Sequence, residues 1–130
     1  MSKDVQVARP GDTLQEVAAR MQAGDFGFMP VADGDRLIGT ITDRDITVRA
    51  VATGAACSSP VGEYISRDPL TARSDADARD VLDFMGSKQV RRMPVLDKDD
   101  RLVGVVSLGD LSTRARDKDV GEALEDISRA

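Results

Sequence analysis

The chain has 130 residues, a formal net charge of −5, and a composition that is 41% hydrophobic and 32% charged. This length suits one domain, or two halves of one, and the negative charge argues against binding to nucleic acid, which is itself an anion. The sequence holds no His and one Cys, so it lacks the commonest general base and cannot form an internal disulfide. No apolar run approaches the ~20 residues that span a bilayer, so no membrane partner is expected. A chain without disulfides suits the reducing cytoplasm.

The same pattern occurs twice along the chain. Residues 65–96 align with residues 1–32, and Leu102–Leu111 then align with Leu37–Ile46 after one inserted residue. A unit of about 60 residues buries only ~60% of its unfolded surface and is marginal alone, so we expect the two copies to fold together. The predicted domains are residues 1–56, residues 57–116 and a C-terminal helix at 117–130.

Each copy is predicted to contain an amphipathic first helix. Thr13 followed by Glu16 forms a capping box, in which each side chain can bond the other residue's backbone N–H. In the second copy Asp77 or Ser74 takes the N-cap position. Apolar residues recur at the spacing of one helical face, and a glycine follows each run. The stripes and their expected ends are Leu14, Val17, Ala18, Met21 and Gly24, then Ala78, Val81, Leu82, Met85 and Gly86.

Strands and a second helix complete each predicted unit. Apolar runs on either side of polar Asp- and Gly-containing turns indicate a β-hairpin. A second helix is expected to begin near Asp43 or Leu108 and to end near Thr53 or Arg116. The small, polar linker Gly54–Pro60 should lie on the surface, and Cys57 within it is expected to be a buried or incidental thiol. The predicted strands are Val5–Ala8, Phe28–Ala32 and Leu37–Ile41, then Leu70–Ala72, Arg92–Leu96 and Leu102–Val106.

A repeated Gly-x-x-Thr/Ser-x-x-Asp segment lies where a strand passes into a helix. It contains Thr42 and Asp45 in the first copy, and Ser107 and Asp110 in the second. A hydroxyl at a helix start can cap a backbone N–H or contact a phosphate, and an Asp one turn later can accept from vicinal ribose hydroxyls. The spacing is equally that of a capping box. Helix capping and nucleotide binding therefore both remain open from the spacing.

The second repeated segment is Met-Pro-Val, which contains Met29 and Pro30 in one copy and Met93 and Pro94 in the other. Proline lacks an N–H and is expected at the edge or start of a strand. Backbone groups nearby would then be free to meet a ligand. The alternative is a plain edge strand with no ligand beside it.

Together, these segments in this order, twice, resemble a pair of CBS domains, also called a Bateman module. The resemblance extends from Met1 to about Arg116. The chain is similar to small stand-alone bacterial CBS-pair proteins, including hypoxia and stress-response types. It implies an α/β (α+β) fold of two β-α-β-β-α repeats packed about a pseudo-twofold axis, with clefts that bind adenine nucleotides such as AMP, ADP or ATP. It also implies that Thr42 and Ser107 contact phosphate or ribose, and that Asp45 and Asp110 hold the ribose hydroxyls.

The two copies differ beside the Met-Pro-Val segment. Arg91 and Arg92 in the second copy correspond to Gly27 and Phe28 in the first. Arginine suits phosphate through its planar pair of donors, so unequal ligand sites are expected, with the arginine-lined site as the stronger candidate. The alternative is that strand alternation directs one Arg to solvent and the other to an acid. Arg44 is a further phosphate candidate, or a solvated helix residue.

The leading hypothesis is a non-enzymatic, cytoplasmic sensor that needs no cofactor, binds an adenine-containing nucleotide, forms a homodimer and acts on a separate effector protein. The alternative is a structural or stress-response interaction module that binds no nucleotide. An enzyme is disfavoured, because the sequence shows neither a catalytic His nor a phosphate-binding glycine pattern. The acidic turn at Asp97, Asp99 and Asp100 lacks the spacing of a calcium loop and predicts no metal site.

Overall fold

The computed structural model describes residues 6–117, so nearly all of the predicted helix at 117–130 lies outside the described residues. The chain divides into two compact units, and their boundary lies between Pro69 and Leu70. Each unit contains helices and a three-stranded sheet, which confirms the mixed α/β class. None of the helices between residues 6 and 117 is long and apolar enough to cross a bilayer.

The first unit follows the predicted order of elements. Helix α1 precedes an antiparallel hairpin of strands β1 and β2, and a short strand β3 pairs antiparallel with β2. Ala8 makes a single parallel bridge to Val31 of β1, where a longer first strand had been predicted. The elements are α1 at Leu14–Gly24, β1 at Phe28–Asp33, β2 at Arg36–Thr42, a helical segment that begins with the short helix α2 at Asp43–Asp45 and continues to Thr53, a 3₁₀ turn at Val61–Glu63 and β3 at Ser66–Arg67.

The second unit repeats the hairpin with a different third strand. Strands β5 and β6 are antiparallel, and β4 pairs parallel with β5, which places β5 in the middle of the sheet. A strand was predicted at Leu70–Ala72, and the observed β4 begins two residues later and ends one residue later. The elements are β4 at Ala72–Arg73, α3 at Ala78–Lys88, β5 at Arg92–Leu96, β6 at Leu102–Ser107 and α4 at Leu108–Asp117.

Each unit has its own apolar core beneath the first helix. Leu14, Val17 and Met21 of α1 are buried as predicted, whereas Ala18 is exposed because it lies at the margin of the apolar stripe. In α3, Val81 is buried with Met85, and the two remaining stripe residues are half-buried. The largest buried side chains are Met29, Ile41, Val17, Val31 and Val61 in the first unit, and Met85, Met93, Leu111, Val95 and Val106 in the second.

Helix α1 ends at Gly24 as predicted, whereas α3 continues two residues past Gly86 to Lys88, and in neither helix is the glycine the left-handed residue. The left-handed residue that ends α1 is Asp25, with φ 55°, and the one that ends α3 is Gln89, with φ 57°. The next N–H donates back into the helix, from Phe26 to Met21 O at 3.1 Å. Gly24 has another role. A Cβ there would lie 2.4 Å from the Phe26 ring, so the glycine makes room for an aromatic side chain that packs against the core.

The linker after the first repeat is held against the start of α1. The backbone N–H of Leu14 donates to Ser59 O at 3.0 Å, and that of Gln15 donates to Cys57 O at 3.1 Å. These bonds satisfy two of the four N–H groups that a helix start leaves without an internal partner. The Cys57 side chain is exposed, so the thiol is not buried. The linker lies on the surface, as predicted, but it also caps a helix.

The second helices of the two repeats differ in regularity. The first repeat has one α-turn at Asp43–Asp45, then a π-helical turn at Ile46–Ala50 and a 3₁₀ turn at Val51–Thr53. The second repeat has the regular helix α4 in the same place. The predicted start at Asp43 and end near Thr53 are correct, but the segment between them is not a regular α-helix. A π turn inserts an extra residue into a helix and is often found near functional sites.

Candidate functional site

Thr42 and Asp45 bond to each other at the start of the helical segment in the first repeat. The Thr42 hydroxyl accepts the N–H of Asp45 at 3.0 Å, and the Asp45 carboxylate accepts the N–H of Thr42 at 3.0 Å. The extended backbone of Thr42 ends β2 and directs its hydroxyl back over the first helical turn. The capping box that the sequence indicates is therefore present, and it holds a hydroxyl and a carboxylate side by side.

Arg49 also contacts this pair. Its guanidinium Nε lies 3.8 Å from Asp45 Oδ1, four residues back along the helical segment. Only 15% of the Asp45 side chain is exposed, compared with 48% for Arg49. A carboxylate has about four lone-pair positions, so Asp45 can accept further hydrogen bonds while it caps the helix and faces Arg49. The carboxylate is thus held in place with spare acceptor capacity.

The second repeat has the same arrangement of hydroxyl and acid. Ser107 ends β6, and its hydroxyl accepts the N–H of Asp110 at 3.0 Å. Both side chains are half-buried, as those of Thr42 and Asp45 are. Here the cap begins the regular helix α4, whose N-terminal N–H groups form a partial positive charge.

A backbone hydrogen bond ties each helix start to the segment before the Met-Pro strand. In the first repeat the N–H of Asp43 donates to Gly27 O at 3.1 Å, and in the second the N–H of Leu108 donates to Arg91 O at 2.8 Å. The strand registers continue this link, because Phe28 pairs with Thr42 and Arg92 pairs with Ser107. We call each of these places a strand–helix junction, formed by residues 27–28 with 42–45, or by residues 91–92 with 107–110.

The Met-Pro residues lie next to the junctions, but their side chains belong to the cores. Met29 and Met93 are 0% and 1% exposed, and Pro30 and Pro94 are also buried. The carbonyl of Pro30 is not free, because it accepts the N–H of Ala8 at 2.9 Å. The expectation of an edge strand is wrong for Pro94, since β5 is the central strand of its sheet. Any contact of these four residues with a ligand stays a prediction.

The two junctions carry different charged groups. Arg91 and Arg92 are both exposed, and neither side chain pairs with a carboxylate through any ion pair recorded among the described residues. In the first repeat, a Cβ added to Gly27 would lie 2.6 Å from Asp43 Oδ2, so the Asp43 carboxylate covers this glycine. Sequence reasoning missed that contact. The signal was the paired change from Gly27 and Asp43 to Arg91 and Leu108.

The acidic turn of the second unit is organised around Asp97. Its carboxylate accepts the N–H of Asp99 at 2.9 Å and that of Arg101 at 3.0 Å, and it faces the Arg101 guanidinium at 3.1 Å. The backbone N–H of Arg101 is the main cause that lowers the pKa of Asp97 below its usual 3.8. No group of three or more potential metal ligands occurs in the part of the chain that the structure describes.

Solved structures share this fold. One is the crystal structure of hypoxic response protein 1 from Mycobacterium tuberculosis, which contains two coordinated zinc ions. Its sequence is 33% identical, the TM-score is 0.77, and the match covers 88% of this chain and 93% of the other. The CBS domain pair of protein MJ0100, solved with 5′-methylthioadenosine and S-adenosylmethionine, is 27% identical with a TM-score of 0.73. That match covers 86% of this chain and 92% of the MJ0100 chain.

Sequence relatives of nearly equal length agree with the structures. The CBS domain-containing protein YhcV of Bacillus subtilis is 35% identical over 129 residues, which is 98% of this chain and 91% of that protein. The family model for the CBS domain matches twice, at residues 1–51 and 61–117. Each match contains one of the two strand–helix junctions, so the chain belongs to the CBS-domain family as a tandem pair of repeats.

Proposed function

We propose that this CBS pair is a non-enzymatic regulatory module whose repeats bind adenine-containing nucleotides at their strand–helix junctions. The observation that carries the proposal is the hydroxyl–carboxylate pair, which occupies the same place in both repeats. Thr42 and Asp45 form it in the first repeat, and Ser107 and Asp110 form it in the second. A solved pair that is 27% identical contains two adenosine derivatives, which supports this ligand class.

The chemistry of the junctions suits a nucleotide. Asp45 and Asp110 would accept the vicinal ribose hydroxyls, because a carboxylate offers two adjacent acceptor oxygens. Ser107 at the start of α4 would contact a phosphate oxygen, where the helix dipole favours negative charge. The backbones of Arg91 and Arg92 adjoin that position, and their exposed side chains would add charge-assisted hydrogen bonds.

Regulation requires that the ligand prefer one of two states of the protein. A ligand shifts an equilibrium only by as much as it binds one state better than the other. We propose that a nucleotide at the junctions changes the packing of the helices that begin there, and that a separate protein detects the change. A homodimer, a cytoplasmic location and this effector protein stay predictions.

A second candidate function is a ligand-free interaction module. The reciprocal bonds between Thr42 and Asp45 favour it, because helix capping alone accounts for both residues in the first repeat. On this alternative, the junctions would serve stability only, and neither would bind a nucleotide.

A ligand panel on the purified protein tests the two candidates. Ligand that binds the folded state raises the melting temperature, and a concentration of about 100 times Kd adds ~2.7 kcal/mol of stability. We expect a rise with at least one of AMP, ADP, ATP, S-adenosylmethionine or 5′-methylthioadenosine at millimolar concentration. We also expect Asp45→Ala and Asp110→Ala to weaken it, whereas Asp35→Ala in the exposed hairpin turn does not. No rise with any of the compounds would favour the ligand-free module.

A further inference from the structure

Among the residues that define them, the two strand–helix junctions have opposite charge. The first carries two carboxylates and one guanidinium, and the second carries two guanidiniums and one carboxylate. Arg49, outside this set, adds a guanidinium 3.8 Å from Asp45 in the first repeat. The junctions are otherwise alike, with the same cap and the same backbone bond from helix to strand. The charged residues are Asp43, Arg44 and Asp45 in the first repeat and Arg91, Arg92 and Asp110 in the second.

The reversal at this place comes from two positions that change together. In the first repeat the Asp43 carboxylate lies over Gly27, where a Cβ would approach it to 2.6 Å. A side chain at position 27 therefore requires Asp43 to move. In the second repeat Leu108 replaces Asp43, Arg91 replaces Gly27, and the N–H to carbonyl bond between them is kept at 2.8 Å. The same pair of positions thus contributes a carboxylate in one repeat and a guanidinium in the other.

We propose that Asp43 makes the first junction selective for adenine nucleosides that carry no phosphate, while the second junction takes the phosphate-bearing nucleotide. This inference rests on the proposed function, because it assigns a ligand class to each of its two sites. A phosphate monoester carries between one and two negative charges near neutral pH, and like charges within a few ångströms repel. At the first junction it would meet Asp43 and Asp45 together.

The two arginines that follow Asp43 in the helical segment do not neutralise it. Arg49 faces Asp45 at 3.8 Å, and no ion pair among the described residues joins Arg44 to Asp43. The backbone N–H of Arg44 donates to Asp43 Oδ1 at 2.8 Å, which holds the carboxylate in place. A neutral thioether such as 5′-methylthioadenosine, or a cationic sulfonium such as S-adenosylmethionine, meets no such repulsion at its 5′ position.

NMR titration of the full chain reads the two junctions separately. The amides of Gly27 and Asp43 report the first junction, and those of Arg91 and Leu108 report the second. We expect 5′-methylthioadenosine to shift the amide signals of Gly27 and Asp43 at about tenfold lower concentration than AMP does. Repulsion between one carboxylate and a phosphate at this range changes Kd by about tenfold. AMP should shift the second pair first. Asp43→Asn should remove most of this tenfold preference at the first junction.

The control is Asp35→Asn, which removes one exposed carboxylate of the same repeat from the hairpin turn and should leave the preference unchanged. Equal shifts of the first pair by the two ligands, or a preference that Asp43→Asn does not alter, would overturn the assignment and leave the proposed function standing. No shift at either junction with any ligand would overturn both. If Asp43→Asn loses its amide dispersion, the titration of the unsubstituted protein decides the assignment alone.

Discussion

At the residue scale, the cap formed by Thr42 and Asp45 does not compete with their proposed contacts to a ligand. Each accepts one backbone N–H of the other at 3.0 Å, which stabilises the start of the helical segment. Oxygen atoms that accept one hydrogen bond retain further lone pairs, so the same atoms can also face a ligand. A cap holds its side chains in one rotamer before any ligand arrives. Capping and binding are therefore compatible at this junction, and stability measurements alone cannot separate them.

The first prediction concerns the cap itself. Thr42→Val keeps the shape of the side chain but removes the oxygen that accepts the Asp45 N–H, so we expect a loss of about 1 kcal/mol in the free energy of unfolding. Thr42→Ser keeps the hydroxyl and should lose much less. Urea unfolding without ligand measures both variants. A larger loss for Thr42→Ser than for Thr42→Val would mean that the threonine methyl group, and not the cap, stabilises this position.

The second prediction concerns Asp97, whose pKa is lowered chiefly by the backbone N–H of Arg101, with the Asp99 N–H and the Arg101 charge adding to the effect. A depressed pKa means that the folded turn favours the carboxylate. Its contribution to stability is present above the usual value of 3.8 and is lost as pH falls through the folded pKa. We expect NMR titration of the Asp97 carboxyl carbon to give a midpoint below 3.8.

Arg101→Ala separates the causes of this shift. The variant loses the guanidinium but keeps the backbone N–H that donates to Asp97 Oδ1 at 3.0 Å. Its Asp97 midpoint should rise but stay below 3.8. A rise all the way to that value would mean that the ion pair at 3.1 Å, and not the turn, lowers the pKa.

At the element scale, the sequence predicts what depends on local period and composition. The apolar stripe of α1, its N-cap at Thr13 and the two hairpins follow from spacing that can be read along the chain. The predicted capping box is half formed, because Glu16 accepts from the Thr13 hydroxyl and not from the Thr13 N–H. Helix ends depend on packing instead. Asp25 adopts the left-handed conformation while Gly24 makes room for the Phe26 ring, and both outcomes require knowledge of what the ring packs against.

The same division applies to the candidate site. Thr42 and Asp45 were predictable because a capping box is a local pattern that spans four residues. The contact of Asp43 with Gly27 was not, because it joins positions on opposite sides of a hairpin. The burial of Met29 and Met93 also follows from the packing of each sheet beneath its helix. Spacing along the chain predicts neither the contact of Asp43 with Gly27 nor the burial of the two methionines.

The third prediction concerns the pairing of β2 with β3. A Cβ on Gly39 would lie 2.4 Å from the backbone carbonyl of Ser66, which cannot move without breaking the pairing of the two strands. We expect Gly39→Ala to lower the free energy of unfolding by about 2 kcal/mol. Gly11→Ala is the matched control, since nothing lies within 4 Å of its Cβ position. Similar stability of the two variants would show that β3 is not fixed against β2.

At the scale of the whole molecule, the repeats of the sequence and the packed units do not share one boundary. The predicted domains divide the chain at residues 56 and 57, whereas the contacts divide it after Pro69. Val61 and Ile65 are 0% and 7% exposed and belong to the core of the first unit. The strand Ser66–Arg67 also completes the first sheet. We therefore propose that the segment from Cys57 to Pro69 stabilises the first repeat.

The fourth prediction tests this assignment in the full-length chain by amide hydrogen exchange. Ile65→Ala removes a buried side chain and should cost about 2–4 kcal/mol. If the segment stabilises the first repeat, amides of α1 and β1 should lose more protection than those of α3 and β5, since local stability follows the unit that loses its packing. Leu111→Ala, a matched truncation of a side chain that is 1% exposed in the other core, should give the opposite pattern. Greater loss in α3 than in α1 from Ile65→Ala would assign the segment to the second repeat and restore the boundary at residue 56.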